Sequence, residues 1–173
     1  LCSDKLFLAA NNYAGNQKFK FSIVRYGNVI SSRGSVIPKF KEINLLKKNI
    51  PFPVTDKNMT RFLITLSEGV NTVLYALKNQ IGGEIFIPKM PSCKIIDICK
   101  ALNPSRKIKI VGVRPGEKLH EELISKNDSH YTFQTKNYYI IINESNNSDK
   151  IIKFHKRNYH AKNVANNFSY NSK

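Results

Sequence analysis

Val113-Arg114-Pro115-Gly116-Glu117-Lys118-Leu119-His120-Glu121-Glu122 decides how this chain is read. An apolar run, Ile108 to Val113, leads into it as a strand, and Pro115-Gly116 turns the chain. Beyond the turn, Leu119 and Leu123 are four apart, the spacing of one helix face. The expected order is strand, turn, helix, with Arg114 at the strand end and Glu117 in the first helical turn. A guanidinium placed there can grip a phosphate bidentately. The free N–H groups of a helix start favour the same anion. Glu117 can accept hydrogen bonds from sugar hydroxyls. The plain alternative is a surface loop with an Arg–Glu pair, and the motif alone leaves both open.

Outward from this stretch, 173 residues allow one domain or part of a larger one. A hydrophobic fraction of 41% suffices for a packed core. No apolar run reaches the roughly 18 residues of a membrane span, and Leu1 opens no cleavable signal, so a soluble cytoplasmic protein is expected. The net charge of +16 suits a dianionic ligand, nucleic acid or an anionic membrane. Its basic residues are spread along the chain without a nucleic-acid motif, so most are read as solvated surface. Cys2, Cys93 and Cys99 lack metal-ligand spacing, as do His120, His130, His155 and His160. No metal site is expected. Cys93 and Cys99 read as small fillers on one helix, and His120 as structural or solvent-facing.

Taken in order, residues 1–14 read as a helix stopped by Gly15. Phe19–Tyr26 alternates as an inner strand of a parallel sheet, with Phe19, Phe21, Ile23 and Arg25 on one face. Gly27-Asn28-Val29 follows at its C-terminal end, where open α/β sheets bind ligands. Asn28 can bond sugar hydroxyls, or simply form a turn beside Gly27. Ser31-Ser32-Arg33-Gly34-Ser35 is a loop before a helix over 36–47, whose buried face is Val36, Phe40, Ile43 and Leu46. Pro51-Phe52-Pro53-Val54 is extended. Met59–Ile64 is a strand in which Arg61 interrupts apolar neighbours and needs an anionic partner, either Asp56 or Glu68 or a ligand. Thr65 and Glu68 fit a capping box. Val70, Val73, Leu74 and Leu77 then form the expected buried stripe of a helix. Glu84–Pro88 is a strand, Pro91-Ser92 opens a helix lined by Ile95, Ile98 or Cys99, and Leu102, and Tyr138–Asn143 is a last strand. The segment 144–173 carries six Lys/Arg against two Asp/Glu and reads as a solvated, partly disordered tail.

Several motifs in fixed order carry a resemblance: Arg25-Tyr26-Gly27-Asn28-Val29, Ser32-Arg33-Gly34-Ser35-Val36, Met59-Thr60-Arg61-Phe62, Gly83-Glu84-Ile85-Phe86-Ile87-Pro88-Lys89 and Arg114-Pro115-Gly116-Glu117-Lys118-Leu119-His120-Glu121. Together they resemble the nucleotide-sugar 4,6-dehydratases of the extended short-chain dehydrogenase/reductase superfamily, most of all the inverting type acting on UDP-N-acetylglucosamine. The resemblance covers about residues 1–143, with a fainter echo at Val164-Ala165 and Phe168-Ser169-Tyr170.

What the resemblance implies is an α/β fold: the C-terminal part of a Rossmann-like doubly wound sheet plus a small α/β substrate-binding domain. Residues 1–30 would end the NADP-binding domain, 31–143 would complete the sheet and hold the nucleotide sugar, and 144–173 would be a basic tail. Val29 would touch NADP. Asn28, Arg33, Arg61, Arg114 and Glu117 would contact the UDP-sugar, with Arg61 on the pyrophosphate. The glycine-rich loop and the catalytic Tyr, Lys and Asp would lie upstream of Leu1, so this chain would hold no catalytic residue and turn over nothing alone. Its partners would be the N-terminal half of the enzyme and further copies of it. Nearest within the fold stands a UDP-sugar 4-epimerase. A basic RNA- or anion-binding module is the reading from another class, and an unfolded remnant with an open sheet edge is the third.

Overall fold

The computed structural model of the protein describes residues 2–13, 19–46, 49–142 and 148–173. Gly15, Lys47 and Asn143, expected ends of three elements, lie outside the described residues. The chain opens with α1 (Cys2–Tyr13), β1 (Ile23–Val24), β2 (Asn28–Val29), α2 (Val36–Leu45), β3 (Phe52–Val54) and β4 (Thr60–Ile64). It continues with α3 (Leu66–Asn79), β5 (Glu84–Pro88), β6 (Ser92–Lys94), α4 (Ile95–Leu102), β7 (Ile108–Ile110) and β8 (Glu122–Ile124). After a 3-10 turn at Lys126–Tyr131 come β9 (Thr132–Gln134), β10 (Tyr138–Ile142), α5 (Ser148–Tyr159), β11 (Lys162–Asn163) and β12 (Tyr170–Asn171). The α/β class is as expected. The elements gather into two compact units between which the chain passes repeatedly.

The first unit comprises Leu1–Tyr26, Ser67–Lys89 and Leu123–Tyr170. Its sheet runs β1-β5-β10-β9-β11, with β1 parallel to β5 and the remaining pairs antiparallel. Strand β5 is buried along its whole length, the mark of a strand covered on both faces. Side-chain alternation divides its neighbours cleanly. Phe86, Ile140 and Ile142 pack with Ala76 and Ile151 on one face, under α3 and α5. Ile85, Ile87 and Ile141 pack with Ile124 and Leu8 on the other, against α1. The expected strand at 19–26 shrinks to β1, the end strand of this sheet among the described residues, and Phe19 is exposed. Arg25 leaves the apolar alternation because its guanidinium pairs with Asp4 at 2.7 Å and donates to the Leu123 carbonyl.

Helix α3 starts directly after Thr65, but its apolar stripe does not face the core. Val70, Val73, Leu74 and Leu77 are exposed, while Gly69, Thr72, Ala76 and Asn79 are buried. Ala76 joins the core with Phe86 and Ile140, and Tyr75 stacks on Tyr138 with ring centroids 4.1 Å apart. The tail is also folded where it is described. Ile151, Ile152, His155 and Tyr159 form an inward stripe among the lysines, and α5 closes one face of the sheet.

The second unit comprises Gly27–Leu66, Met90–Glu122 and Asn171–Lys173. Helices α2 and α4 cover the parallel pair β3–β7, with Phe40, Phe52, Val54, Met59, Ile95 and Cys99 as the core. Val36 and Ile43 join it as expected, whereas Leu46 is exposed. Arg106 lies over the Phe52 ring and donates to the carbonyls of Asn44, Leu46 and Ile50, satisfying the end of α2. Ser92 does not open a helix. Ser92–Lys94 is β6, antiparallel to β4, so Cys93 sits on a strand and only Cys99 on α4. Burial pushes the Cys99 thiol up to about 11, leaving it an inert core group.

Candidate functional site

Every sequence-predicted site residue falls in the second unit. Strand β2 carries Asn28 and Val29 and runs parallel to β4, with Asn28 opposite Leu63 and Val29 opposite Ile64. Gly27 is what allows the pairing. A Cβ there would lie 2.4 Å from Phe62 Cβ and 2.7 Å from the Phe62 carbonyl oxygen. Strand β4 presents Arg61 beside this close approach.

Arg61 is half-buried, and its carboxylate partners differ from the two weighed in the sequence. Neither Asp56 nor Glu68 meets it. Its Nη2 lies 3.5 Å from Glu117 Oε1, and its Nε 3.6 Å from Glu121 Oε1. Nη1 donates to the carbonyls of Thr60 at 2.7 Å and Leu119 at 3.2 Å. One edge of the guanidinium is thus spent on backbone, and the Nε–Nη2 edge, the one suited to an oxyanion, faces two carboxylates.

The stretch that brings Glu117 and Glu121 here is not a helix. Strand β7 ends at Ile110, earlier than expected, and Gly112 has φ +90°. Pro115-Gly116 turns the chain as expected, with Gly116 at φ +81°, and Glu117 N donates to the Arg114 carbonyl. Beyond it the backbone stays irregular until β8, which pairs with β12. Leu119 and Leu123, four apart, enter the core of the second and of the first unit respectively, so no helix face unites them. The anion site expected at a helix start is therefore absent. What stands in its place is a turn in which Arg114 N lies 3.4 Å from Glu117 Oε2. The Arg114 side chain is exposed and, among the described residues, has no ion-pair partner.

Two residues that sequence reasoning passed over complete the cluster. Glu121 Oε2 accepts from Phe62 N at 3.1 Å, fastening the 114–122 stretch to β4. Ser172 links the same two segments: its hydroxyl meets Thr60 Oγ1 at 2.8 Å and accepts from Glu121 N at 2.9 Å. His120 Nδ1 meets Thr60 Oγ1 at 2.7 Å. Glu121 could have been found as a counter-charge four residues after Glu117. Ser172 carried no signal, lying in what read as a tail. A cleft of about 280 Å³ beside this network is lined by Lys118, His120, Glu121, Glu122, Asn171 and Lys173, but by none of the predicted ligand contacts. Asn28 and Arg33 are exposed, and among the described residues no hydrogen bond or ion pair joins them to the Arg61 cluster.

The fit to NADP is narrow. Val29 is half-buried, and its backbone is engaged by β4 and by Ser32 N, so it offers a dinucleotide only an apolar side chain. Among the described residues no His, Cys, Asp or Glu cluster could hold a metal ion, and no helix is long and apolar enough to cross a membrane.

The α/β layers define the class of fold, and within it Arg61 stands between Glu117 and Glu121. Comparison makes this more particular. Residues 1–143 match the model of the polysaccharide biosynthesis protein family, and the chain belongs to that family. It is 54% identical over 141 residues to the UDP-N-acetylglucosamine 4,6-dehydratase (inverting) of Campylobacter jejuni, covering 82% of this chain and 42% of that protein. It is 41% identical over 142 residues to the UDP-glucose 4-epimerase of Rickettsia bellii, covering 80% of this chain and 41% of the other. A Methanocaldococcus jannaschii protein named uncharacterized membrane protein MJ1061 is 40% identical over 166 residues, 88% of this chain and 49% of its own. The crystal structure of Pen from Bacillus thuringiensis superposes with a TM-score of 0.81 at 32% identity, over 98% of this chain and 50% of that one. The chain thus spans about half the length of the relatives it matches, or less.

Proposed function

We propose that this chain is the nucleotide-sugar-binding portion of an inverting UDP-N-acetylglucosamine 4,6-dehydratase, a cytoplasmic lyase that supplies a 4-keto-6-deoxy sugar for surface glycans. The observation that carries this is the 54% identity to the Campylobacter jejuni enzyme. In this reading Arg61 and Arg114 hold the pyrophosphate, Glu117 accepts from sugar hydroxyls, Asn28 and Arg33 contact the nucleotide sugar, and Val29 forms an apolar wall beside NADP. A nicotinamide supplies a reversible hydride acceptor for the dehydration. The residues of this chain bind and orient: phosphate grip remote from the reacting carbons fixes the sugar, and that binding energy offsets the cost of positioning it. The acid–base groups come from an N-terminal half of the same enzyme, which assembles as a homo-oligomer. The 173-residue chain alone turns over nothing.

The test is to incubate the intact protein with UDP-N-acetylglucosamine and NADP and follow the product by mass and NMR. A product lighter by one water with C5 inverted supports the proposal. The second reading, a UDP-sugar 4-epimerase, is favoured by the Rickettsia similarity and predicts an isomer of unchanged mass. Tight RNA binding with a steep salt dependence, and none for UDP, would overturn both.

A further inference from the structure

We propose that Glu117 is an exchangeable counter-ion on Arg61. An incoming phosphate takes its place on the guanidinium, and the released carboxylate turns to the hydroxyls of the same ligand. This rests on the nucleotide-binding reading and adds to it an order of events and a source of selectivity.

The cluster sets two carboxylates against one guanidinium. These three side chains sum to a negative charge, so a phosphate approaching Arg61 is repelled while both carboxylates remain on it. The two carboxylates are not held alike. Glu121 is pinned three ways: Oε2 accepts from Phe62 N, its N–H donates to Ser172 Oγ at 2.9 Å, and its carbonyl accepts from Ser172 N at 2.9 Å. The Glu117 carboxylate has two long contacts among the described residues, 3.5 Å to Arg61 and 3.4 Å to Arg114 N, and no short bond like that from Phe62 N to Glu121. Its backbone N–H donates within its own turn to the Arg114 carbonyl at 3.0 Å. The two side chains are about equally exposed, 28% and 26%. Glu117 sits in the turn after Gly116, and a side-chain rotation alone frees it. Arg61 does not move with it, because the Thr60 and Leu119 carbonyls keep Nη1 in place. Glu121 is therefore the resident partner that positions Arg61, and Glu117 the one that leaves.

Selectivity follows from the fate of the released carboxylate. Inorganic pyrophosphate displaces Glu117 and leaves it without a partner. A nucleoside diphosphate displaces it and offers ribose hydroxyls in return. The cluster then favours phosphate and sugar joined in one ligand over phosphate alone.

Calorimetric titration of the intact protein with inorganic pyrophosphate and with UDP tests this on the wild type, Glu117→Gln and Glu117→Asp, each first shown by thermal melting to be folded. Glu117→Gln is expected to bind pyrophosphate roughly three-fold or more tighter, the scale of a partly exposed ion pair, and UDP no tighter. Glu117→Asp keeps the charge and should behave as the wild type. Unchanged or weaker pyrophosphate binding by Glu117→Gln overturns the exchange. An equal gain for UDP overturns the transfer to hydroxyls. If the wild type binds neither ligand while Glu117→Gln binds pyrophosphate, the exchange stands and the nucleotide-sugar reading falls; if neither protein binds either ligand, both fall.

Discussion

Gly27 has no room for a side chain. An alanine methyl would press on Phe62 Cβ and carbonyl, on the strand that carries Arg61. Gly27→Ala is expected to cost about 1–3 kcal/mol, as overpacking does, read as a lower urea midpoint. In the first unit, Glu84 and His155 are both fully buried and 3.2 Å apart. Burial alone would raise Glu84, but the His155 hydrogen bond and the N–H groups of Ile81 and Gly82 outweigh it and hold its carboxyl below the usual range. A carboxylate depressed by folding lends stability that is complete above its unfolded pKa, about 4.3. That stability is lost as pH falls through the lower folded value. Glu84→Gln should cost about 1–3 kcal/mol at pH 7 and flatten the fall in stability between pH 5 and acid, within this ~4.3-and-below window. A variant whose pH profile parallels the wild type would remove Glu84 from that account.

At the scale of elements, α3 and α5 show where pattern and packing part. Periodicity correctly marks α3 as a helix, yet period alone does not say which face is inward. Here the face carrying Thr72, Ala76 and Asn79 is the buried one, with Ala76 in the core beside Phe86 and Ile140, and Leu74 is left 56% exposed. Leu74→Ser in the 173-residue chain should therefore change stability by less than about 0.5 kcal/mol, whereas Ile140→Ala, at full burial, should cost about 2–5 kcal/mol. Similar losses from the two in urea unfolding would mean the stripe is covered. Helix α5 was hidden by its charge: four cations among twelve residues read as solvated, although Ile151 and His155 fall one turn apart and are buried. The same limit applies at 117–124. Leu119 and Leu123 have helical spacing, but they serve two different cores, which local sequence cannot announce.

At the scale of the whole molecule, the α/β class, the turn at Pro115-Gly116 and the arginine on β4 were legible because each rests on local chemistry. The counter-ions of Arg61 were not, since Glu117 and Glu121 reach it across more than fifty residues. Nor was Ser172, which arrives from the far end of the chain to tie Thr60 to Glu121. In the proposed function the turn after β7 and the arginine on β4 together hold the phosphates of a UDP-sugar. Arg114 tests this most directly, because its side chain is exposed and its loss should leave the fold intact. Calorimetric titration of UDP into the intact protein and into Arg114→Ala is expected to show a loss of about ten-fold or more, the scale of a charge-assisted hydrogen bond to phosphate. Unchanged UDP affinity in a folded Arg114→Ala protein would contradict it.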